Sequence, residues 1–350
     1  MPTSPKRSRR KAMTLMRDVL PHRGIEEWKW SDLRTIVSAR DPEGFDQPLT
    51  ADLSGPSVDT SGPDIADAPT DPMGQIAAEY ANGVTSIVIP AGASYEQPLE
   101  LRGLDTGNGR FRIEVGEGAS LDVVEHHSAD SGFANVDLTY IVQKGATLRR
   151  TVLSEDGAEM IRHVRARITL WDDANFQQTL LTFGGAFTRL ETRIAGMGAV
   201  NAELSGAYLL DGDRHADITN YIDFAAPGST VRDAVAGVVT EKGKGVFQGK
   251  FHVRRPAQET DAEMRHDALM LSETAKINAK PELEIYADDV ECAHGNTIGQ
   301  LDEEALFYMR QRGIPDAQAR AMLLEAFIAA RLGDDEALLS SVRTWLDSRT

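Results

Sequence analysis

Cys292 is the only cysteine of the chain, and His294 follows it by two residues in the run Glu291-Cys-Ala-His-Gly-Asn-Thr297. Alternate residues of an extended segment project to one face, so the thiol and the imidazole stand side by side. A thiolate and an imidazole together suit iron or zinc. Two donors cannot close a four-ligand site. A Cys–His nucleophile would need a third group to orient the base, and the local sequence supplies none. A half-site completed by a second chain accounts for both the pair and the missing ligands. The bland alternative is a buried cysteine that happens to neighbour a histidine.

The other candidates carry less chemistry. His126 and His127 follow the pattern Leu121-Asp-Val-Val-Glu125, and adjacent residues of a strand face apart, so they are poorly placed to share a metal. His163, His215 and His252 are isolated in strand-like runs. His266, in Glu263-Met-Arg-His-Asp267, precedes the apolar Ala268-Leu-Met-Leu271 and stays a functional candidate. Asp288-Asp289 reads as a solvated turn. Gly243-Lys-Gly-Val-Phe-Gln-Gly249 is glycine-rich but lacks the Gly-Lys-Ser/Thr ending of a phosphate loop and leads into no helix. There is no Gly-x-Ser-x-Gly elbow and no His-Glu-x-x-His zinc helix.

Composition narrows the classes further. The 350 residues carry a net charge of −17, which argues against a general nucleic-acid or anionic-membrane binder. A single cysteine excludes an internal disulfide framework and a cysteine-only metal or cluster site within one chain. No apolar run approaches the length of a membrane span. The start, MPTSPKRSRRKAM, is basic with no apolar stretch behind it, so it reads as a disordered basic lead rather than a secretory signal.

The elements that must position Cys292 and His294 are legible from periodicity. Residues 13–40 read as helical, with Leu15, Met16, Val19 and Leu20 at helical spacing and Ser31 or Asp32 as a cap. Residues 41–72 hold six prolines among Asp, Ser, Thr and Gly and read as a linker or mobile loop. From residue 84 the period becomes two, through Val84–Ile89, Phe111–Val115, Leu121–Glu125, Leu138–Val142, Ile161–Leu170 and on to Val246–Val253. No helical pattern interrupts these strands, which favours an all-β unit of roughly 200 residues over a βαβ fold. Gly118-Ala-Ser-Leu121 recurs as Gly145-Ala-Thr-Leu148 and Asp173-Ala-Asn-Phe176, and Gly198-Ala-Val200 continues it. A β-solenoid and a sandwich with regular turns both satisfy such a repeat. Arg162, Arg165, Arg167, Gln177 and Thr179 are expected on a solvated face.

After residue 300 the pattern is helical again. Asp302 caps a helix with Glu303 and Glu304 in its first turn, and Gly313 stops it. Pro315 starts a second, with Met322, Leu323, Ala326, Phe327 and Ala330 as its apolar stripe; Asp334 or Asp335 opens a third.

Lys280-Pro-Glu-Leu-Glu-Ile-Tyr-Ala-Asp-Asp-Val-Glu-Cys-Ala-His-Gly-Asn-Thr-Ile-Gly-Gln-Leu-Asp-Glu-Glu-Ala-Leu-Phe-Tyr-Met-Arg-Gln-Arg-Gly-Ile-Pro315 resembles the C-terminal signature of the SufB/SufD family of iron–sulfur cluster assembly proteins. Phe247-Gln-Gly-Lys250, Thr260-Asp-Ala262, Ala268-Leu-Met-Leu-Ser272 and Glu27-Trp-Lys-Trp-Ser-Asp-Leu-Arg34 extend the likeness. Cys292-Ala-His-Gly-Asn-Thr297 is similar to the SufD branch, and His266 falls where SufB has its principal cluster cysteine. The resemblance implies a mainly β protein: a right-handed parallel β-helix core flanked by N-terminal and C-terminal α-helical regions. On that basis residues 1–75 form an N-terminal helical region with a Pro-rich linker, 76–290 the β-helix, and 291–350 a C-terminal helical region.

The resemblance further implies a non-catalytic, cytoplasmic scaffold subunit. It would pair with SufB through the β-helix and bind the SufC ATPase through its C-terminal helices, around Leu306, Phe307, Tyr308, Arg310, Arg312, Gly313, Ile314 and Pro315. His294 and Cys292 would contribute to a metal site shared with the partner chain, holding transient iron or an iron–sulfur cluster, with no cofactor tightly bound by this chain alone. Neither nucleic acid nor membrane is an expected partner. Alone, the chain has a homodimer as its alternative assembly, and the sequence leaves the isolated oligomeric state open. The alternatives are a β-helix enzyme or binder acting on polysaccharide, or a homodimeric metal-binding scaffold.

Overall fold

The computed structural model describes residues 19–56 and 70–349. Seventeen strands, numbered in chain order, alternate between two sheets. The first sheet holds β1 (Asp52–Ser54), β3 (Leu99–Arg102), β5 (Ser120–His127), β7 (Thr147–Ser154), β9 (Asn175–Thr182), β11 (Asn201–Leu210), β13 (Thr230–Val239), β15 (Thr260–Met270) and β17 (Val290–Gly299). The second holds β2 (Thr85–Ile89), β4 (Gly107–Val115), β6 (Ser131–Val142), β8 (Glu159–Leu170), β10 (Phe187–Gly196), β12 (His215–Phe224), β14 (Lys244–Val253) and β16 (Lys276–Ile285). Apart from β1, which runs antiparallel to β3, the named strands pair in parallel. The chain is a parallel β-solenoid of about eight turns. The expectation of a β-helix between helical regions is met, and the sandwich is excluded.

Register explains the repeat. Ser120, Thr147, Asn175, Asn201, Thr230, Asp261 and Glu291 are partners in succession. Ala119, Ala146 and Ala174 precede the first three and are buried, because a small side chain fits the corner where one coil rests on the next. Gly118, Gly145 and Asp173 take positive φ at 64°, 65° and 57°, the conformation a tight turn of this kind requires. The fourth corner differs from the sequence reading. Ala199-Val200, not Gly198-Ala199, occupies the equivalent position, since Asn201 pairs with Asn175.

The solenoid interior is a single apolar cluster, from Leu99 and Ile113 through Leu148 and Phe176 to Phe247 and Phe251. Charged groups within it are paired around Glu125. Arg150 holds Glu125 at 2.6 Å, reaches Gln178 at 2.7 Å, and Tyr140 donates to Glu125 at 2.9 Å. Burial raises the Glu125 carboxyl, yet Arg150 outweighs it and brings the group down to about 2. Asp233 lacks such a cation. Asn220 donates to it at 2.8 Å, and burial pushes the carboxyl up to about 7.

The outer faces of both sheets carry apolar patches too, and each patch is covered. On the second sheet lies the N-terminal segment: a short 3-10 turn (Glu26–Trp28), α1 (Leu33–Arg40) and α2 (Pro72–Tyr80). Trp28, Leu33, Val37, Phe45, Met73 and Ile76 pack there on Phe133, Ile161 and Phe187. Asp32 caps α1 by accepting from Thr35 N, so the cap is Asp32 rather than Ser31. Of the helix expected over 13–40, residues 13–18 lie outside the described residues, and 19–32 hold only the 3-10 turn; Leu20 and Trp28 are buried there from an irregular segment packed on the sheet. Residues 41–56 are not a free linker. Phe45 and Leu49 are buried, Leu49 N donates to Asn108 O at 2.8 Å, and β1 joins the sheet; residues 57–69 lie outside the described residues.

This cover corrects the solvated-face reading of two arginines. Arg162 points into the solenoid, where Asp156 binds it at 2.7 Å. Arg165 lies beneath the N-terminal segment, held by Asp137 at 3.0 Å and by Asp71. Arginine tolerates such burial when carboxylates satisfy its fork.

On the first sheet lie α4 (Asp316–Leu332) and α5 (Glu336–Asp347), preceded by α3 (Glu303–Gln311). Leu324, Ile328, Leu332, Leu338, Val342 and Trp345 pack on Leu181, Phe183, Ala207, Leu209, Ala236 and Val238. The buried stripe of α4 is therefore 324/328/332, not the expected 322/323/326/327/330. The helix is apolar around much of its girth, and the sheet selects the face with the longest aliphatic row. Among the described residues no helix is long and apolar enough to cross a membrane.

Candidate functional site

The C-terminal end of the solenoid differs from the N-terminal end. At the first coil Ile87 and Ile89 of β2 are fully buried. At the last, β16 and β17 each have one neighbouring strand, as β2 has at the first coil, so an edge of backbone N–H and C=O groups is left unpaired on each, and the two ends differ in their apolar cover. The inward face of the last coil is also incompletely covered. Ile277 and Leu283 stand in register with Gly245 and Phe251, and Cys292 and His294 with Ala262 and Met264. Phe251, Ala262 and Met264 are buried by this last coil, whereas Ile277, Leu283, Val290 and Cys292 are only half-buried and His294 is exposed. Ile285 and Ile298 add exposed apolar surface at the same end.

Cys292 and His294 thus share a face, as their spacing predicts. Both lie on β17, which carries the solenoid on to Gly299, so the Cys-Ala-His run belongs to the last coil rather than to the helical region beginning at 291. Burial raises the Cys292 thiol, and Asp261 adds to the rise against the opposing bond from the Ala262 backbone. The thiol is the resting form at neutral pH, and a cation would have to displace its proton. Among the described residues no group of three or more His, Cys, Asp or Glu side chains is placed to hold a metal ion. The donor set is two residues on an open edge.

The buried histidines are tied into the fold. His127 is buried against Glu125 at 3.3 Å, while its neighbour His126 faces Glu155 at 3.1 Å on the outside. His163 bonds Asn135 at 2.9 Å beneath Trp28. His266 uses both ring nitrogens, on Tyr208 at 2.9 Å and Asn296 at 2.7 Å, with Phe247 stacked at 4.9 Å; burial lowers its pKa and keeps it neutral. It has no free lone pair for a metal. The Gly243–Gly249 run lies mostly within β14: a Cβ at Gly245 would collide with the Tyr208 ring, and one at Gly249 with Met264. Packing, not phosphate, explains those glycines. Asp288 and Asp289 lie in the turn before β17, where Gln258 accepts from their backbone N–H groups.

The residues singled out around α3 divide. Asp302 caps the helix by accepting from Glu304 N and Ala305 N. Leu306 is buried within the chain, so it is not available to a partner. Phe307 and Tyr308 stand 63% and 58% exposed. The Arg312 guanidinium lies 3.5 Å from the Tyr308 ring centroid, and Arg310 reaches Asp316 at 3.4 Å. Gly313 turns the chain at φ 83°, and Pro315 stands at the N-cap of α4, with Ile314 half-buried between. A groove of about 670 Å³ adjoins α3, lined by Met270, Leu271, Glu273, Leu301, Arg320 and Leu324 among others.

The family model described as "SUF system FeS cluster assembly, SufBD core domain" matches residues 102–327, which is most of the solenoid and the first helices after it. The chain belongs to the SufBD family. Its relatives include the iron–sulfur cluster assembly protein SufD of Escherichia coli, 28% identical over 262 residues, or 71% of this chain and 62% of that protein. The chloroplastic protein ABCI7 of Arabidopsis thaliana is 29% identical over 259 residues, covering 69% of this chain and 54% of the relative. A SufBD family protein of Mycobacterium tuberculosis is 25% identical over 341 residues, covering 88% and 83%. The matches to the first two therefore span less than two thirds of those proteins. Within this SufBD chain, the sequence reading missed an ion pair between β15 and α4. Asp267 binds Arg331 at 2.8 Å, and no local pattern signals a pair 64 residues apart.

Proposed function

We propose that this chain is a scaffold subunit in iron–sulfur cluster assembly. Its open solenoid end pairs with a SufB-type partner. Cys292 and His294 supply one side of a shared site there, with iron or a nascent cluster as cargo. The C-terminal helices bind a SufC-type ATPase, and the chain performs no catalytic step of its own. The observation that carries this reading is the unsealed coil: two unpaired strand edges, half-covered Ile277, Leu283 and Val290, and both metal-seeking side chains on one face. A partner sheet would satisfy the backbone edges, cover the apolar row and complete the ligand set together. Phe307 and Tyr308, exposed beside the groove at α3, are aromatic anchors of the kind that dominate protein interfaces.

Within such a site His294 offers an imidazole at the solvent side, and Cys292, half-buried, gives up its proton only to a strongly held cation. Co-expression with the SufB and SufC counterparts of the same organism tests the reading. Size-exclusion chromatography is expected to give one complex containing the three chains. A chain that elutes free throughout overturns the proposal.

A further inference from the structure

β17 is supported along one edge, by β15 alone. It also contains Gly295 and Gly299, and a Cβ at either would meet no atom within 4 Å. An edge strand with two unpacked glycines has little of its own to hold it in register. The two residues that follow Gly295 are gripped from opposite faces by consecutive residues of β15. On the inner face His266 Nδ1 lies 2.7 Å from Asn296 Oδ1. That oxygen can only accept, so Nδ1 carries the proton and Nε2 accepts from the Tyr208 hydroxyl at 2.9 Å. Tyr208 and the stacked Phe247 fix the ring deep in the solenoid. On the outer face Asp267 Oδ1 accepts from the Thr297 hydroxyl. Its other oxygen accepts from Arg265 Nε at 2.6 Å and from Arg331 Nη2 at 2.8 Å.

Arg331 belongs to the last turn of α4, so the outer grip depends on a helix that lies on the far side of the sheet from the solenoid interior. Arg265 is more than half exposed, with its side chain at 55%. Without Arg331, Arg265 is left as the one cation on Asp267 and draws the carboxylate toward solvent, away from Thr297.

We propose that His266 and Asp267 form a two-sided clamp that positions β17, and with it Cys292 and His294, and that Arg331 places the outer half of the clamp under the control of the C-terminal helices. His266, Asp267 and Arg331 are positioning residues. His266 acts from the solenoid interior and is insensitive to the helices. Asp267 acts from outside and follows them. The grip falls two residues beyond His294, so loosening it frees His294 more than Cys292, which is anchored by packing on the core. The inference rests on the scaffold reading only for the use made of Cys292 and His294; the clamp itself is a property of the isolated chain.

Hydrogen–deuterium exchange on the isolated full-length chain tests it. Arg331→Met is expected to speed exchange of the β17 amides by about three- to tenfold, the net range for losing one ordinary hydrogen bond, since Arg265 stays on the same oxygen, with β11 and β13 unchanged. Arg331→Lys restores part of the protection. Asp267→Ala speeds β17 at least as much, and adding Arg331→Met to it brings no further increase. Thr297→Val, which removes one hydroxyl at nearly constant shape, gives the same local effect without touching α4. Unchanged β17 exchange in both Arg331→Met and Thr297→Val overturns the clamp. So does equal acceleration in β11 and β13, which would make Arg331 a general anchor of the helix. Either result leaves the scaffold reading standing, whereas failure to form the three-chain complex with β17 protection intact overturns the scaffold reading alone.

Discussion

Replacing Asp233 by asparagine should stabilise the solenoid, and by an amount that grows with pH. The carboxyl is fully enclosed, has one donor in Asn220 at 2.8 Å, and has no cation beside it. Burial moves its pKa from an ordinary 3.8 to about 7. The sign follows from proton binding. Between those values the folded chain keeps a proton that the unfolded chain has lost, so stability falls as pH rises from about 4 to about 7 and is level above that. A gap of about three units corresponds to a total of about 4 kcal/mol. Asparagine keeps the oxygen that accepts from Asn220 and removes the ionisation. Between about pH 5.5 and about pH 8.5 the advantage of Asp233→Asn over the wild type should widen by about 2 kcal/mol. Urea unfolding of both proteins at several pH values measures this, and groups common to both cancel in the difference. A stability difference that stays constant across that range would show that Asp233 is already ionised in the folded chain, and the argument from unpaired burial would fail.

Other expectations rest on separate parts of the molecule. Ile328→Ala removes a fully buried side chain between α4 and the first sheet, and a loss of about 2–5 kcal/mol is expected in equilibrium unfolding. An unaltered midpoint would mean that the helix does not rest on that face. Phe307→Ala with Tyr308→Ala alters exposed side chains, so stability should move by no more than about 0.5 kcal/mol per residue while co-purification of the SufC-type ATPase is lost. Retained binding would move the docking surface away from α3.

Much of the fold is legible in the sequence because its cause is local. A period of two, turn residues at the corners and the buried Ala119, Ala146 and Ala174 after three of the turns are set by neighbours in the chain, and so are the caps at Asp302 and Asp335. What the sequence hides is pairing at long range. Arg162 and Arg165 look like solvated strand residues until Asp156, Asp137 and Asp71 are placed beside them. Phe45 and Leu49 look like parts of a Pro-rich linker until the second sheet supplies a surface for them. The stripe of α4 was ambiguous for the same reason: several faces are apolar, and the sheet decides among them. At the site, the shared face of Cys292 and His294 follows from spacing alone. That this face ends an unsealed solenoid, and that His266 and Asp267 grip the strand behind it, follows from register between segments about 30 residues apart.

The open end of the solenoid is proposed to supply one side of a shared iron–sulfur site. Iron and acid-labile sulfide, counted per complex after reconstitution with the SufB and SufC counterparts, test it most directly when His294→Ala is compared with the wild type. The variant is expected to assemble with its partners in undiminished yield and to carry markedly less iron and sulfide. An assembled complex with an unchanged iron and sulfide content would contradict it.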